Sequence, residues 1–120
     1  MTAPAVVTLI GYFNIRPGSA DRFRANCEDM VGLRQKEPGH LASAYSFDGD
    51  AKAVSREDYE SAAAVKRHME VGGHIYESTR ELVDVTGVEI HGPAAELDQL
   101  RDLFADLSPR FYVTEFGFRR

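Results

Sequence analysis

The chain has 120 residues, 43% of them hydrophobic, with one cysteine and a formal net charge of -5. That is the material of a single domain, enough for a core without disulfides or a structural metal. The acidic balance and scattered basic residues argue against nucleic-acid or membrane partners, and no apolar run is long enough for a signal peptide or a membrane span, so a cytoplasmic location is expected by default.

Val6 to Arg16 is rich in β-branched and aromatic residues and reads as a first strand. Its alternation puts Val7, Leu9, Gly11, Phe13 and Ile15 on one face and Thr8, Tyr12, Asn14 and Arg16 on the other. Pro17-Gly18 ends it, and Ser19 can cap a helix on which Phe23, Cys27, Met30, Val31 and Arg34 recur at helical spacing. Cys27 lies on that stripe and reads as a small buried hydrophobe. The helix runs to about Glu37, where Pro38 and Gly39 stop it.

His40 to Phe47 and Lys52 to Tyr59 read as a hairpin around Asp48-Gly49-Asp50, whose residues suit left-handed backbone. Ser61 opens a second helix to about Val71. Gly72-Gly73 is expected to interrupt it before a further helical stretch with Ile75, Thr79, Leu82 and Val83. Val85 to His91 is the fourth strand. Gly92-Pro93 then starts a third helix carrying Leu97, Leu100, Phe104 and Leu107, and Phe111 to Phe118 is a fifth, aromatic strand.

The order β-α-β-β-α-β is that of the α+β, ferredoxin-like fold, an antiparallel sheet with its helices on one face. We expect a single domain over residues 1–120, with 93–120 as a helix-strand extension. A sheet covered on one side only must meet water or a second subunit with its other face, so a homodimer is expected.

Chemistry has few places to sit. There is no phosphate-cradling glycine loop, no dinucleotide motif, no Cys-x-x-Cys and no His-Glu-x-x-His. The remaining constellation is Tyr59, His68 and His74, with Glu57 nearby. His68 and His74 are six residues apart across the expected break, which does not suit a two-histidine metal face on one helix, so no metal is expected. His68 beside Arg67 and Glu70 reads as a partly exposed helix residue; its other reading is a wall of the pocket. Glu57 reads as half of a cross-strand ion pair with Arg16 or Lys52. Tyr59 reads either as packing or as a phenol that points into a cavity.

The runs Leu9-Ile10-Gly11-Tyr12-Phe13-Asn14-Ile15-Arg16-Pro17-Gly18 and Ser55-Arg-Glu-Asp-Tyr-Glu-Ser-Ala-Ala-Ala-Val65, followed by His68 and His74, resemble the antibiotic biosynthesis monooxygenase family of dimeric α+β barrels. The resemblance implies a barrel of two sheets and a ligand cavity in each subunit between sheet and helices. It implies a monooxygenase that needs no cofactor and uses molecular oxygen on a quinol or phenolic small molecule. His74 would be the base and Tyr59 would position the ring, with Gly11, Phe13 and His68 against the substrate. The haem-degrading branch has an Asn where Gly11 stands and a Trp where Tyr59 stands, which disfavours haem degradation here. A non-catalytic or stress-related binding protein and an isomerising or lactonising enzyme remain alternatives on the same scaffold.

Overall fold

The computed structural model describes residues 5–120. Its elements are β1 (Val7–Ile15), α1 (Ala20–Gln35), β2 (His40–Asp48), β3 (Lys52–Tyr59), α2 (Ala62–Arg80), β4 (Val83–Gly92), α3 (Ala94–Asp98), a 3-10 turn at Ala105–Leu107 and β5 (Arg110–Val113). The sheet order is β2-β3-β1-β4-β5. β1 pairs antiparallel with β3 and β4, β2 antiparallel with β3, and β5 parallel with β4. The protein is therefore an α+β, ferredoxin-like fold with one added edge strand. No helix among the described residues is long and apolar enough to cross a membrane.

The alternation in β1 works as the sequence implies. Val7, Leu9 and Ile15 are buried under the helices, while Tyr12 and Asn14 are exposed on the opposite face. The core falls into two clusters. Val7, Leu9, Tyr59, Val65, Ile90, Leu97, Leu100 and Phe104 join the sheet to the start of α2 and to the extension. Ile15, Phe23, Cys27, Ala53, Leu82 and Val83 join the other end of the sheet to α1. Burial pushes the Cys27 thiol up to about 12, so it is a packing group and not a nucleophile at neutral pH.

Three local expectations are corrected. The helix break at Gly72-Gly73 does not occur, and α2 runs unbroken from Ala62 to Arg80. Gly72 is buried, and a Cβ there would touch the His68 ring at 3.4 Å and Met30 Sδ at 3.6 Å. A side-chain methyl there would make only ordinary contacts, so the packing of Met30 and His68 around this position sustains the helix through a glycine that costs about 1 kcal/mol in a helix. The long third helix shrinks to Ala94–Asp98, because the chain tightens into bonds such as Leu100 N–H to Leu97 O and Leu103 N–H to Leu100 O. That winding still buries Leu97, Leu100 and Phe104.

The fifth strand is likewise shorter, Arg110–Val113 instead of 111–118. Val113 pairs with Gly92, the last residue of β4, and the chain then turns at Pro93 into α3. Beyond one bond from Thr114 N–H to Gly92 O, no ladder remains to pair with. Phe116 and Phe118 follow the strand, 81% and 71% exposed.

Candidate active site

The two core clusters are separated by a cavity of about 240 Å³ between the sheet and α2. Leu9, Phe13, Phe23, Val83, Val88 and Phe104 supply much of its apolar wall. Arg34, Tyr45, Ser55, Glu57 and Tyr76 supply a polar wall. The exposed residues Glu77, Arg80 and Asp106 lie at its mouth, where Arg80 meets Asp106 at 3.4 Å.

Arg34 organises the polar wall. It continues the apolar stripe Phe23, Cys27 and Met30 of α1, so the helix delivers a guanidinium into the core, 2% exposed. Its Nη1 donates to Ser43 Oγ at 2.8 Å and its Nη2 meets Glu57 Oε1 at 2.9 Å. Burial is the largest single influence and works against the guanidinium's charge, but Glu57 together with Tyr45, Tyr76 and Tyr59 more than offsets it and holds Arg34 above the usual range. Tyr59 O–H donates to the same Glu57 oxygen at 2.8 Å. Burial raises Tyr59, Tyr76 and Tyr45 well above the usual phenol value, and the nearby Glu57 charge adds to the rise.

The expected partners of Glu57 are thus corrected. Arg16 pairs with Asp84 at 2.9 Å, and Glu57, 4% exposed, faces inward to Arg34. A strand carboxylate on the covered face needs a buried cation, and among the described residues the α1 stripe brings one across as Arg34.

The solvated reading of His68 is also corrected: it is fully buried. Its Nδ1 lies 2.8 and 2.9 Å from the two carboxylate oxygens of Glu37, and its Nε2 lies 3.2 Å from the Tyr76 hydroxyl. Arg67 and Glu70 do mark an exposed face, but His68 falls on the opposite one with Ala64, Val65 and Gly72. His40 sits beside it, its ring 4.2 Å from that of Tyr59 and 5.4 Å from that of His68. Neither nitrogen of the His40 side chain has a hydrogen-bond partner among the described residues, although Nδ1 lies 3.7 Å from Glu37 Oε2, and burial lowers its pKa.

The remaining sequence candidates separate. Gly11 and Phe13 line the cavity, whereas Tyr59 stands behind the Glu57 carboxylate. His74 is exposed and lines a surface groove with Asn26, Asp29, Leu33 and Ser78 between α1 and α2. The unbroken helix explains this: without a kink at Gly72-Gly73, position 74 turns outward while Gly73 and Tyr76 face the cavity. Gly11 does more than leave room. A Cβ there would lie 2.8 Å from Ser55 Oγ and 2.9 Å from the Phe13 ring.

Arg34, Glu37, His40 and Tyr76 were not singled out from the sequence as site residues. Arg34 had a readable signal, a charge at helical spacing on an apolar stripe. Glu37 and His40 flank the Pro38-Gly39 turn, and nothing in their spacing points to His68. Among the described residues, Glu37, His40 and His68 bring three potential ligand atoms within 4.8 Å of one another. They could close on a dication only by giving up the direct Glu37–His68 hydrogen bond.

Comparison with known proteins agrees with this architecture. The family model for antibiotic biosynthesis monooxygenase matches residues 6–74. MupZ from Pseudomonas fluorescens is 30% identical, with a TM-score of 0.88 over 96% of this chain and 94% of its own. Rv0793 from Mycobacterium tuberculosis is 26% identical, with a TM-score of 0.61 over 69% of this chain and 91% of its own. SnoaB from Streptomyces nogalater, a cofactor-independent oxygenase, shares the fold at 17% identity and a TM-score of 0.63, over 70% of this chain and 90% of its own. No curated protein sequence gives a match. With the family model covering more than half its length, the chain belongs to the antibiotic biosynthesis monooxygenase family.

Proposed function

We propose that the protein is a cofactor-independent monooxygenase that oxidises a small phenolic molecule in the cavity between sheet and α2. The observation that carries this reading is an apolar chamber of about 240 Å³ with one polar wall centred on the buried Arg34–Glu57 pair. An aromatic ring fits such walls, and its hydroxyl finds polar partners on one side only.

The reaction needs no metal or flavin when the substrate itself is the reductant. Loss of the phenol proton gives an electron-rich anion, which passes one electron to O₂. The resulting pair joins at a ring carbon to form a peroxide. Loss of water, made from the distal oxygen and the hydrogen on that carbon, leaves a quinone: phenol plus O₂ becomes quinone plus H₂O. The residues supply orientation, charge and exclusion of water. Arg34 lies where it stabilises the developing phenolate, and Glu57, tied to Arg34 and Tyr59, fixes the guanidinium in place. Phe13 and Gly11 bound the ring's space from β1. His74, on the outer surface, has no part in this scheme.

The protein would work as a dimer. The sheet face away from the helices carries Tyr12, whose hydroxyl donates to Glu89 at 3.1 Å, and His91, whose ring stacks on Tyr112 at 4.8 Å. Phe116 and Phe118 extend from the same edge strand, and a second copy is the partner that would cover them.

A second reading rests on the density of proton-carrying groups at the polar wall: the same site would suit an isomerising or lactonising reaction without O₂. Oxygen uptake under ¹⁸O₂ separates the two. The monooxygenase consumes one O₂ per quinone and places one labelled oxygen in it; turnover of a substrate without label in the product supports the second reading.

A further inference from the structure

Deprotonation requires an acceptor, and the cavity wall offers few. Arg34 cannot accept, and Glu57 Oε1 already takes the hydrogen bonds of Arg34 and Tyr59, which leaves Oε2 as that carboxylate's open acceptor. Tyr76 adds a chain of partners behind it, since the residue lines the cavity and its hydroxyl lies 3.2 Å from His68 Nε2. His68 Nδ1 in turn lies 2.8 Å from Glu37. The geometry points to a buried Glu37–His68–Tyr76 proton relay that ends at the cavity wall, with Tyr76 as the catalytic group and His68 and Glu37 as positioning residues behind it.

The chemistry follows from which nitrogen holds the proton. The Glu37 carboxylate can only accept, so Nδ1 carries the hydrogen and Nε2 is left as the acceptor for Tyr76 O–H. When a phenol docks against Tyr76, its proton passes to the Tyr76 oxygen as the Tyr76 proton passes to Nε2. The products are a phenolate in the cavity and an imidazolium held against Glu37. After O₂ has added, the reverse transfer protonates the peroxide, so no proton is gained or lost over the cycle. A carboxylate, an imidazole and a hydroxyl in line are the arrangement by which a neutral hydroxyl exchanges protons near neutral pH.

His68 is enclosed by charged and neutral polar groups. Glu37 faces it from the turn after α1, His40 from β2, Glu57 and Tyr59 from β3, and Tyr76 from its own helix, with Arg34 of α1 paired to Glu57 behind them. An imidazolium formed there therefore meets two carboxylates, Glu37 at 2.8 Å and Glu57 at 3.8 Å, the second of them shared with Arg34.

The inference rests on the cavity's being the reaction site, and its test does not need oxygenation. Under nitrogen, with a simple phenol in deuterium oxide, the relay should catalyse exchange of ring hydrogens through the phenolate, and Tyr76→Phe should slow that exchange about 100-fold. His68→Ala should slow it to a similar extent and recover part of the rate with added imidazole. His74→Ala should match wild type. Imidazole ¹⁵N spectra give a second readout: wild-type His68 should show a protonated Nδ1 and an accepting Nε2, whose resonance moves in Tyr76→Phe while Nδ1 stays. Exchange in Tyr76→Phe at the wild-type rate, no exchange by wild type, or a proton on Nε2 would each overturn the relay. Exchange that depends on Tyr76 in a protein that takes up no O₂ would keep the relay and reject the monooxygenase.

Discussion

Arg34 and Glu57 meet at 2.9 Å with their side chains 2% and 6% exposed, a charge pair closed between α1 and the covered face of the sheet. Such a pair adds little net stability over an apolar one, but its members depend on each other. Arg34→Met should therefore cost about 3–5 kcal/mol in urea unfolding, because it strands the Glu57 carboxylate. Arg34→Met with Glu57→Leu should recover most of that loss. A double variant as unstable as the single one would show that Arg34 acts through packing alone.

His40 gives a pH prediction. Its folded-state pKa is lowered, chiefly by burial, so the native state binds a proton there less readily than the unfolded chain. Its contribution to stability is full above the ordinary imidazole value of about 6.5. That contribution falls away as the pH drops from there through the lower native value. His40→Phe keeps a ring against Tyr59 and removes two buried nitrogens that make no hydrogen bond among the described residues. It should raise stability at pH 7.5 by about 1 kcal/mol and reduce the loss between pH 7.5 and 5.5. Equal acid slopes in the two proteins would contradict this.

Gly11→Ala should destabilise the fold by about 1–3 kcal/mol, since the added methyl meets Ser55 and the Phe13 ring below 3 Å. Ser55→Ala removes the nearer atom, so the double variant should be less destabilised than the sum of the two single changes. Thermal unfolding of all three measures the coupling, and strict additivity would mean that the backbone yields instead.

The open sheet face should be an interface. Phe116→Glu with Phe118→Glu should shift light scattering from the dimer mass toward the monomer mass, because each aromatic ring buried at a contact contributes roughly 1.5–3 kcal/mol. A monomeric wild type at micromolar concentration would refute the expectation.

The fold was legible because it rests on local pattern. The period-2 alternation in β1, the Asp48-Gly49-Asp50 hairpin and the Phe23-Cys27-Met30 stripe each specify an element by themselves, and Gly49 does take a left-handed φ of 60°. What failed were boundaries that depend on tertiary contacts. Gly72-Gly73 reads as a stop, yet Met30 and His68 pack against it and the helix continues. β5 reads as eight residues, yet its partner strand ends at Gly92.

The site was legible in its walls more than in its chemistry. Gly11 and Phe13 follow from the face of β1. The polar cluster does not, because Arg34 and Glu37 at and just after the end of α1, Glu57 in β3, and His68 and Tyr76 in α2 come from three separate parts of the chain. The helical phase of α2 decides between His68 and His74, and that phase turns on whether the glycines break it.

The most direct measurement is a crystal structure of the protein with a phenol that it turns over. The account predicts the ring in the chamber bounded by Leu9, Phe13 and Val88, with its hydroxyl within hydrogen-bond distance of Tyr76 and facing Arg34. A phenol seated instead in the surface groove beside His74, with that chamber left empty, would contradict it.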